Sequence, residues 1–330
     1  MKTKIVIIAS HEKDQSALFL MKRLAEIGQT AHLINFGEFP IAMSGSMLFE
    51  ETVSTSMTML DSFSFDENSV KSIWWRRPQG PVKNTRSSLL QKYIQNESEI
   101  ALSCLLAFLK DVLWVSEPEA TRIANRKPIQ LALAKQIGFK VPETCISNDP
   151  EKVKAFVVRH SGISLIMKAV GSSYVRLTHD PDDRSRKNKA IYTKIIDAKR
   201  LLEHIGRVSN CPFILQEAVI KDSDIRITVV DDRVFASEIL IENNAEGVNL
   251  DWRHHDVKRK YVMHNLPKDL ESMCVGLVSS LGLKFGCIDM GFSKKDGYTF
   301  FEINPQGQWM PSEQLVGHPI SLALANLLSC

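Results

Sequence analysis

Apolar and polar positions divide the chain into short strands and amphipathic helices. Ile5 to Ala9 is a continuous apolar run, as a strand buried on both faces shows. From Ser16 to Ile27 the apolar residues Leu18, Met21, Leu24 and Ile27 make a helical stripe, and Gly28 stops it. Ala31 to Phe36 is extended again, so strand, helix and strand predict a doubly wound first domain. Segments 47–60 and 62–66 read as hairpin strands. Ser72 to Trp75 reads as a strand ending in Trp75-Arg76-Arg77-Pro78. Glu97 to Asp111 has a wide apolar helical face, and Leu113 to Ser116 is a short strand. Pro128 suits the first turn of a helix that runs to Ile137 and ends at Gly138.

The second half alternates strands with few helices. Ile163 to Ala169 is a strand, and Asp180 to Lys189 is a charged loop. A helix over Ala198 to Ile205 precedes the strand Phe213 to Val219. Ile225 to Val230 and Arg233 to Ile241 flank a hairpin turn at Asp231-Asp232. The helix Leu270 to Leu281, capped by Gly282, leads into a strand over 283–292. A turn at Lys294 to Gly297 then returns the chain into Phe300 to Asn304. Ser312 to Ser329 reads as one closing helix with Leu315, Leu322, Leu324, Leu327 and Leu328 apolar.

Candidate chemistry gathers at the end of that last hairpin. Glu302 and Asn304 are two apart on a strand and so share a face. Asp289, on the preceding strand, is expected to face Glu302. A carboxylate pair and an amide oxygen are hard ligands that suit Mg²⁺ with phosphates and water completing its shell. The alternative is a polar strand end. Lys168, before Gly171-Ser172-Ser173, suits phosphate contact, although lysines end many strands. Arg226 sits among Ile225, Ile227 and Val229, where an unpaired guanidinium is costly to bury. It is either functional or half of a structural ion pair. Arg76 with Arg77 reads either as an anion contact or as a surface pair. His254 and His255 are adjacent and diverge on any element, so they present no chelating face.

Composition narrows the class. The net charge of +3 over 330 residues gives no case for nucleic acid. Apolar runs such as Ile100 to Leu109 fall short of a membrane span. The N-terminal apolar run soon meets His11-Glu12-Lys13-Asp14, which argues for a first strand and against a signal peptide. The cysteines lack C-x-x-C spacing, so reduced thiols in a cytoplasmic protein are expected. No G-x-G-x-x-G marks a dinucleotide site at the first turn.

The motifs together carry a resemblance. Asp289-Met290-Gly291-Phe292 followed by Phe301-Glu302-Ile303-Asn304-Pro305-Gln306-Gly307-Gln308-Trp309 resembles the metal-binding end of the ATP-grasp ligases. It is similar to the ribosomal-protein glutamate ligase branch and to the macrocyclases that make microviridin-type graspetides. Trp74-Trp75-Arg76-Arg77-Pro78, Asp224-Ile225-Arg226 and Asp251-Trp252-Arg253 fit the same family. So does the order Asn125-Arg126-Lys127, helix, Gly138-x-x-Val141-Pro142-x-Thr144. One departure is Gln306, where relatives often carry Asn.

The resemblance implies an α/β ATP-grasp fold behind a doubly wound N-terminal domain, divided at 1–120, 121–215 and 216–330. It implies ATP and Mg²⁺ as cofactors, with Asp289, Glu302 and Asn304 on the metal and Lys127 and Lys168 on phosphates. The hinge strand at Gln216, Glu217 and Val219 would meet adenine, and Asp224 the ribose or the substrate pocket. Arg226 would reach the transferred phosphoryl group. Arg253, Asp251 and Arg76 would meet the substrate. The implied activity is an ATP-dependent carboxylate ligase working through an acyl phosphate, closing side-chain esters or amides in a precursor peptide with a leader and an acidic core. Addition of amino acids to a carboxylate is the alternative in the superfamily, and a non-catalytic nucleotide-binding module the alternative outside it. No membrane partner is expected, and a homodimer is left open.

Overall fold

The computed structural model describes the chain apart from residues 1–3, 60–62, 67, 79–87, 110, 172–173, 176–188, 191–192 and 242–257. The first unit contains β1 (Ile5–Ser10), α1 (Gln15–Glu26), β2 (Ala31–Ile34), β3 (Met43–Phe49), β4 (Val53–Met59), β5 (Ser64–Asp66), β6 (Val70–Arg77), α2 (Ser88–Ala107) and β7 (Leu113–Val115). Its parallel sheet runs β2-β1-β6-β7, with β3-β4-β5 as a separate antiparallel sheet. Asp14 caps α1 by accepting from the Ser16 N–H. The next helix, α2, begins well before the expected Glu97. Its early residues Leu89 and Tyr93 are 79% and 63% exposed, so no apolar stripe announces that half.

Two further sheets follow α3 (Pro118–Ala124) and α4 (Lys127–Ile137). The central lobe contains β8 (Thr144–Ser147), α5 (Pro150–Arg159), β9 (Leu165–Lys168), β10 (Tyr174–Val175), β11 (Lys189–Ala190), β12 (Lys194–Ile195), α6 (Ala198–Glu203) and β13 (Phe213–Glu217). Its sheet runs β12-β9-β13-β8 over a core of Val153, Phe156, Leu165 and Leu215. The C-terminal lobe contains β14 (Ser223–Val230), β15 (Arg233–Ile241), β16 (Arg259–Met263), α7 (Lys268–Ser280), β17 (Phe285–Ser293), β18 (Gly297–Asn304), α8 (Met310–Val316) and α9 (Ile320–Ser329). Its antiparallel sheet runs β16-β15-β14-β17-β18.

The sequence pattern predicts one helix over Ser312 to Ser329, and the structure has two. Gly317, at φ 89°, caps α8 in the left-handed conformation, and Pro319 lies just ahead of α9. Apolar residues on both sides mask that break in the periodicity.

The two faces of the β14 sheet do different work. Ile225, Ile227, Val229, Ile288 and Phe300 point into a core covered by α4 and α7. On the other face, Val230, Phe285, Cys287 and Trp309 pack with α9 against Val6, Ile8 and Trp74 of the first unit. The C-terminal helix therefore joins the first domain to the last lobe. Ser72 Oγ donates to the Leu328 carbonyl at 2.6 Å across this joint. Among the described residues no helix is long and apolar enough to cross a membrane.

Candidate active site

Three strands place the candidate site. In the β14–β17 and β17–β18 registers, Arg226 pairs with Asp289, and Asp289 with Glu302. Directly opposed residues share a face, so the three side chains form one row. Asn304 lies one step along, opposite Cys287. A bulge makes this possible. Met290 pairs with Phe300 and Asp289 with Glu302, which leaves Phe301 as an extra residue. Plain alternation would have put Phe300, Glu302 and Asn304 on one face. The bulge instead sends Phe300 into the core, 0% exposed, and Glu302 and Asn304 to the side of Asp289.

Electrostatics holds the row together. Arg226 Nη1 donates to Asp289 Oδ1 at 2.6 Å, with the two residues 5% and 7% exposed. Burial opposes the guanidinium charge, but Asp289, then Cys287 and Glu302, more than offset it and raise its pKa. At the other end Lys127 Nζ lies 3.5 Å from Glu302 Oε2, and both are only partly buried. Gln130, one turn into α4, sets that approach. Its amide donates to the Ile303 carbonyl at 2.8 Å and accepts from the Ile303 N–H at 3.1 Å, closing the free edge of β18.

The central lobe reaches the same region. Lys168 Nζ donates to Gln216 Oε1 at 2.8 Å and stands 5.6 Å from the Phe301 ring centroid. Lys221 approaches that ring at 5.4 Å and pairs with Asp224. A Cβ on Gly291 would lie 2.7 Å from Phe301 Cζ, so the glycine makes room for the bulged ring. Gln216 is buried, and its amide nitrogen donates to Thr144 Oγ1 at 2.8 Å. The Glu217 N–H donates to the Glu143 carbonyl at 3.0 Å, and Val219 follows where the strand has ended.

The loop after Asn304 folds back onto the row. The Gln306 N–H donates to Asn304 Oδ1 at 3.0 Å and orients that amide. Arg226 Nη2 donates to the Gln308 carbonyl at 3.0 Å. A Cβ on Gly307 would fall 2.8 Å from Arg226 Nη2, so only glycine lets the backbone lie this close.

Arg76 reaches this loop from the first domain. It is 0% exposed and donates to the Gly307 carbonyl and Gln308 Oε1 at 2.8 and 2.9 Å, and also to the Gln306 carbonyl. Asp14 pairs with it at 3.2 Å. Burial, with Arg77 nearby, lowers the Arg76 pKa to about 10 against the pull of Asp14, so it stays charged at neutral pH. Period two along β6 puts Ser72, Trp74 and Arg76 on the face buried between domains, so Arg76 holds the loop and meets no solvent. Asp251 and Arg253 lie outside the described residues.

Sequence reasoning missed Gln130, Phe301, Lys221 and Asp14. Only the bulge and the packing of α1, β6 and α4 give them roles, and the one local signal among them is Asp14 at the N-cap of α1.

A doubly wound first domain, two antiparallel lobes, and an acid–amide row beside cationic side chains define an ATP-grasp ligase, an ADP-forming class of enzyme. Residues 4–122 match the MvdD pre-ATP grasp domain and residues 124–328 the RimK-like ATP-grasp domain. The chain belongs to the RimK-like ATP-grasp family. Among solved structures, it is similar to a Chryseobacterium gregarium RiPP-associated ATP-grasp ligase in complex with ADP and a leader and core peptide. The identity is 26%, the TM-score 0.85, and 99% of this chain and 96% of that chain are covered. The macrocyclase MdnC of Microcystis aeruginosa MRC, bound with precursor peptide MdnA, shares the fold at 24% identity and TM-score 0.84, with 99% of each chain covered. PsnB, complexed with minimal precursor, Mg and ADP, shares it at 20% identity and TM-score 0.71, with 98% of this chain and 97% of that chain covered. No curated protein matches the chain by sequence.

Proposed function

We propose that this ligase closes side-chain ester or amide links within a ribosomally made precursor peptide. The observation that carries the reading is the row Arg226–Asp289–Glu302 with Asn304, at the junction of both lobes with the first domain. The RiPP-associated relative with ADP and a leader and core peptide supports the substrate class.

The donor set fits Mg²⁺. Among the described residues no three His, Cys, Asp or Glu side chains gather into a metal cage. A cation on Asp289, Glu302 and Asn304 therefore takes the rest of its shell from outside the protein, as Mg²⁺ does with phosphates and water. Bound there, it would screen the charge of the transferring phosphoryl group. Arg226 and Lys127 now occupy the carboxylates.

The chain's own residues then have these roles. Lys127 and Lys168 contact phosphate oxygens, Val219 and its neighbours in the hinge meet the adenine edge, and Asp224 lies at the ribose or the substrate pocket. A substrate carboxylate attacks the γ-phosphorus of ATP, releasing ADP and forming an acyl phosphate. Arg226 offsets charge on the transferred group. A hydroxyl or amine of the same peptide attacks the acyl carbon, phosphate leaves, and the proton passes to solvent. Nothing here needs a protein nucleophile. Arg253 holds an acidic group of the core, Asp251 belongs to the same substrate-side motif, and the free thiols suit the cytoplasm.

The test is mass spectrometry of a precursor peptide encoded beside the gene. Each link removes the mass of one water. A peptide that gains residue masses instead would establish amino-acid addition and overturn the cross-linking reading.

A further inference from the structure

A directed chain of hydrogen bonds inside the central lobe holds Lys168. Its Nζ donates to Gln216 Oε1 at 2.8 Å, and Gln216 Nε2 donates to Thr144 Oγ1 at 2.8 Å. The Thr144 hydroxyl in turn donates to the Pro142 carbonyl at 2.8 Å. The registers explain why these side chains meet. Gln216 on β13 lies directly opposite Thr144 on β8, and Lys168 on β9 is opposite Ile214, two residues before Gln216. All three therefore share one face of the sheet, while Leu215 and Leu165 point into the lobe core.

Donor and acceptor chemistry allows this chain one direction. An ammonium only donates, so it meets the amide oxygen, which turns the amide nitrogen towards Thr144. The hydroxyl hydrogen of Thr144 goes to Pro142, which leaves an oxygen lone pair for the amide N–H. Turning the amide over would set two donors against each other. Gln216 is 2% exposed, so a lost bond would leave a buried polar group unmet.

Charge matters as much as direction. The amide fixes the ammonium without neutralising it, whereas a carboxylate in its place would pair with Lys168. At the outer end Lys168 stands 5.6 Å from the ring centroid of Phe301, the bulged residue beside Glu302. At the inner end Pro142 precedes Glu143, whose carbonyl accepts from the Glu217 N–H at 3.0 Å. One chain of bonds thus runs from the hinge to the edge of the metal row.

We infer that Gln216 and Thr144 are positioning residues for the nucleotide phosphates, acting through Lys168. The inference rests on the reading that Lys168 contacts phosphate, and not on the identity of the peptide. Gln216 sets the place of the ammonium and preserves its charge. Thr144 sets the orientation of the Gln216 amide.

The test compares ADP with adenosine, which shares base and ribose but carries no phosphate. Binding to the full chain with Mg²⁺ is followed by calorimetry for ADP and by saturation-transfer NMR for adenosine. Lys168→Met and Gln216→Glu are each expected to weaken ADP at least about tenfold, the first by removing the charge and the second by pairing it. Thr144→Val is expected to weaken ADP about three- to tenfold, the worth of one neutral hydrogen bond. Thr144→Ser keeps the hydroxyl and is expected to rescue that loss. Adenosine binding should be the same throughout. With Lys168→Met already in place, Thr144→Val should cost ADP nothing more, because the two act as one unit. Parent-level ADP affinity in Gln216→Glu and Thr144→Val, with Lys168→Met impaired, overturns the positioning role and leaves the phosphate contact standing. Parent-level ADP affinity in Lys168→Met overturns both. Adenosine weakened as much as ADP in Thr144→Val places the effect in the hinge and overturns the inference. A Thr144→Val loss that persists undiminished in Lys168→Met overturns it as well.

Discussion

Arg76→Met tests whether the first domain sets the geometry of the metal-strand loop. Arg76 is fully enclosed, pairs with Asp14 at 3.2 Å, and donates to the Gln306 and Gly307 carbonyls and to Gln308 Oε1. Methionine fills much of the volume and donates nothing. Removing one partner of a buried ion pair costs about 3–5 kcal/mol, mostly because the other charge is stranded. Asp14 is 6% exposed and would be that stranded charge. For a chain of this size the melting temperature should fall on the order of 10 °C. The same change frees the loop whose Gln308 carbonyl accepts from Arg226 at 3.0 Å, so ADP release should fall while ATP affinity holds. Adding Asp14→Asn removes the stranded charge and should restore part of the stability. It cannot restore turnover, since the loop carbonyls still lack their donor. Thermal melts and ADP release on the single and double variants separate the two effects. Parent-like melting and parent-like ADP release in Arg76→Met would refute the reasoning.

Other expectations follow from the same geometry. Glu302→Gln and Asn304→Ala should each lower ADP release by about a hundredfold or more with unchanged melting, since a cation held on them would screen charge at the transferring phosphate. Arg226→Lys keeps the charge but loses the fork that spans Asp289 and the Gln308 carbonyl, so product should collapse while ATP binding survives in calorimetry. Gly307→Ala places a Cβ against the Cys287 Cβ, 2.7 Å from its sulfur and 2.8 Å from Arg226 Nη2; parent-like ADP release would show that the loop need not lie so close. Burial raises the Asp14 carboxyl's pKa, but Arg76 and hydrogen bonds from Ser10 and Ser16 win and hold it below the ordinary value. Its stabilising share is complete above the ordinary carboxylate range and is lost as pH falls through the lowered value. The acid-side drop in melting temperature should therefore be shallower in Asp14→Asn.

The sequence by itself determined the order of elements, the C-terminal hairpin and the identity of the metal candidates. Periodicity is a local property, and Glu302, Asn304 and Asp289 sit in a short hairpin whose turn, closed by Gly297 at φ 72°, is written in the chain. The tertiary structure decided which face those residues take. The bulge at Phe301 inverts the alternation, and Gly291, across the hairpin on the paired strand, makes room for it. It also decided the role of Arg76. A strand pattern says that Trp74 and Arg76 share a face, but not that α9 and the Gln306–Gln308 loop cover it, because those partners come from the far end of the chain. Gln130 carries no sequence signal for the same reason. Hydrogen bonds across such separations exist only once the chain has packed together.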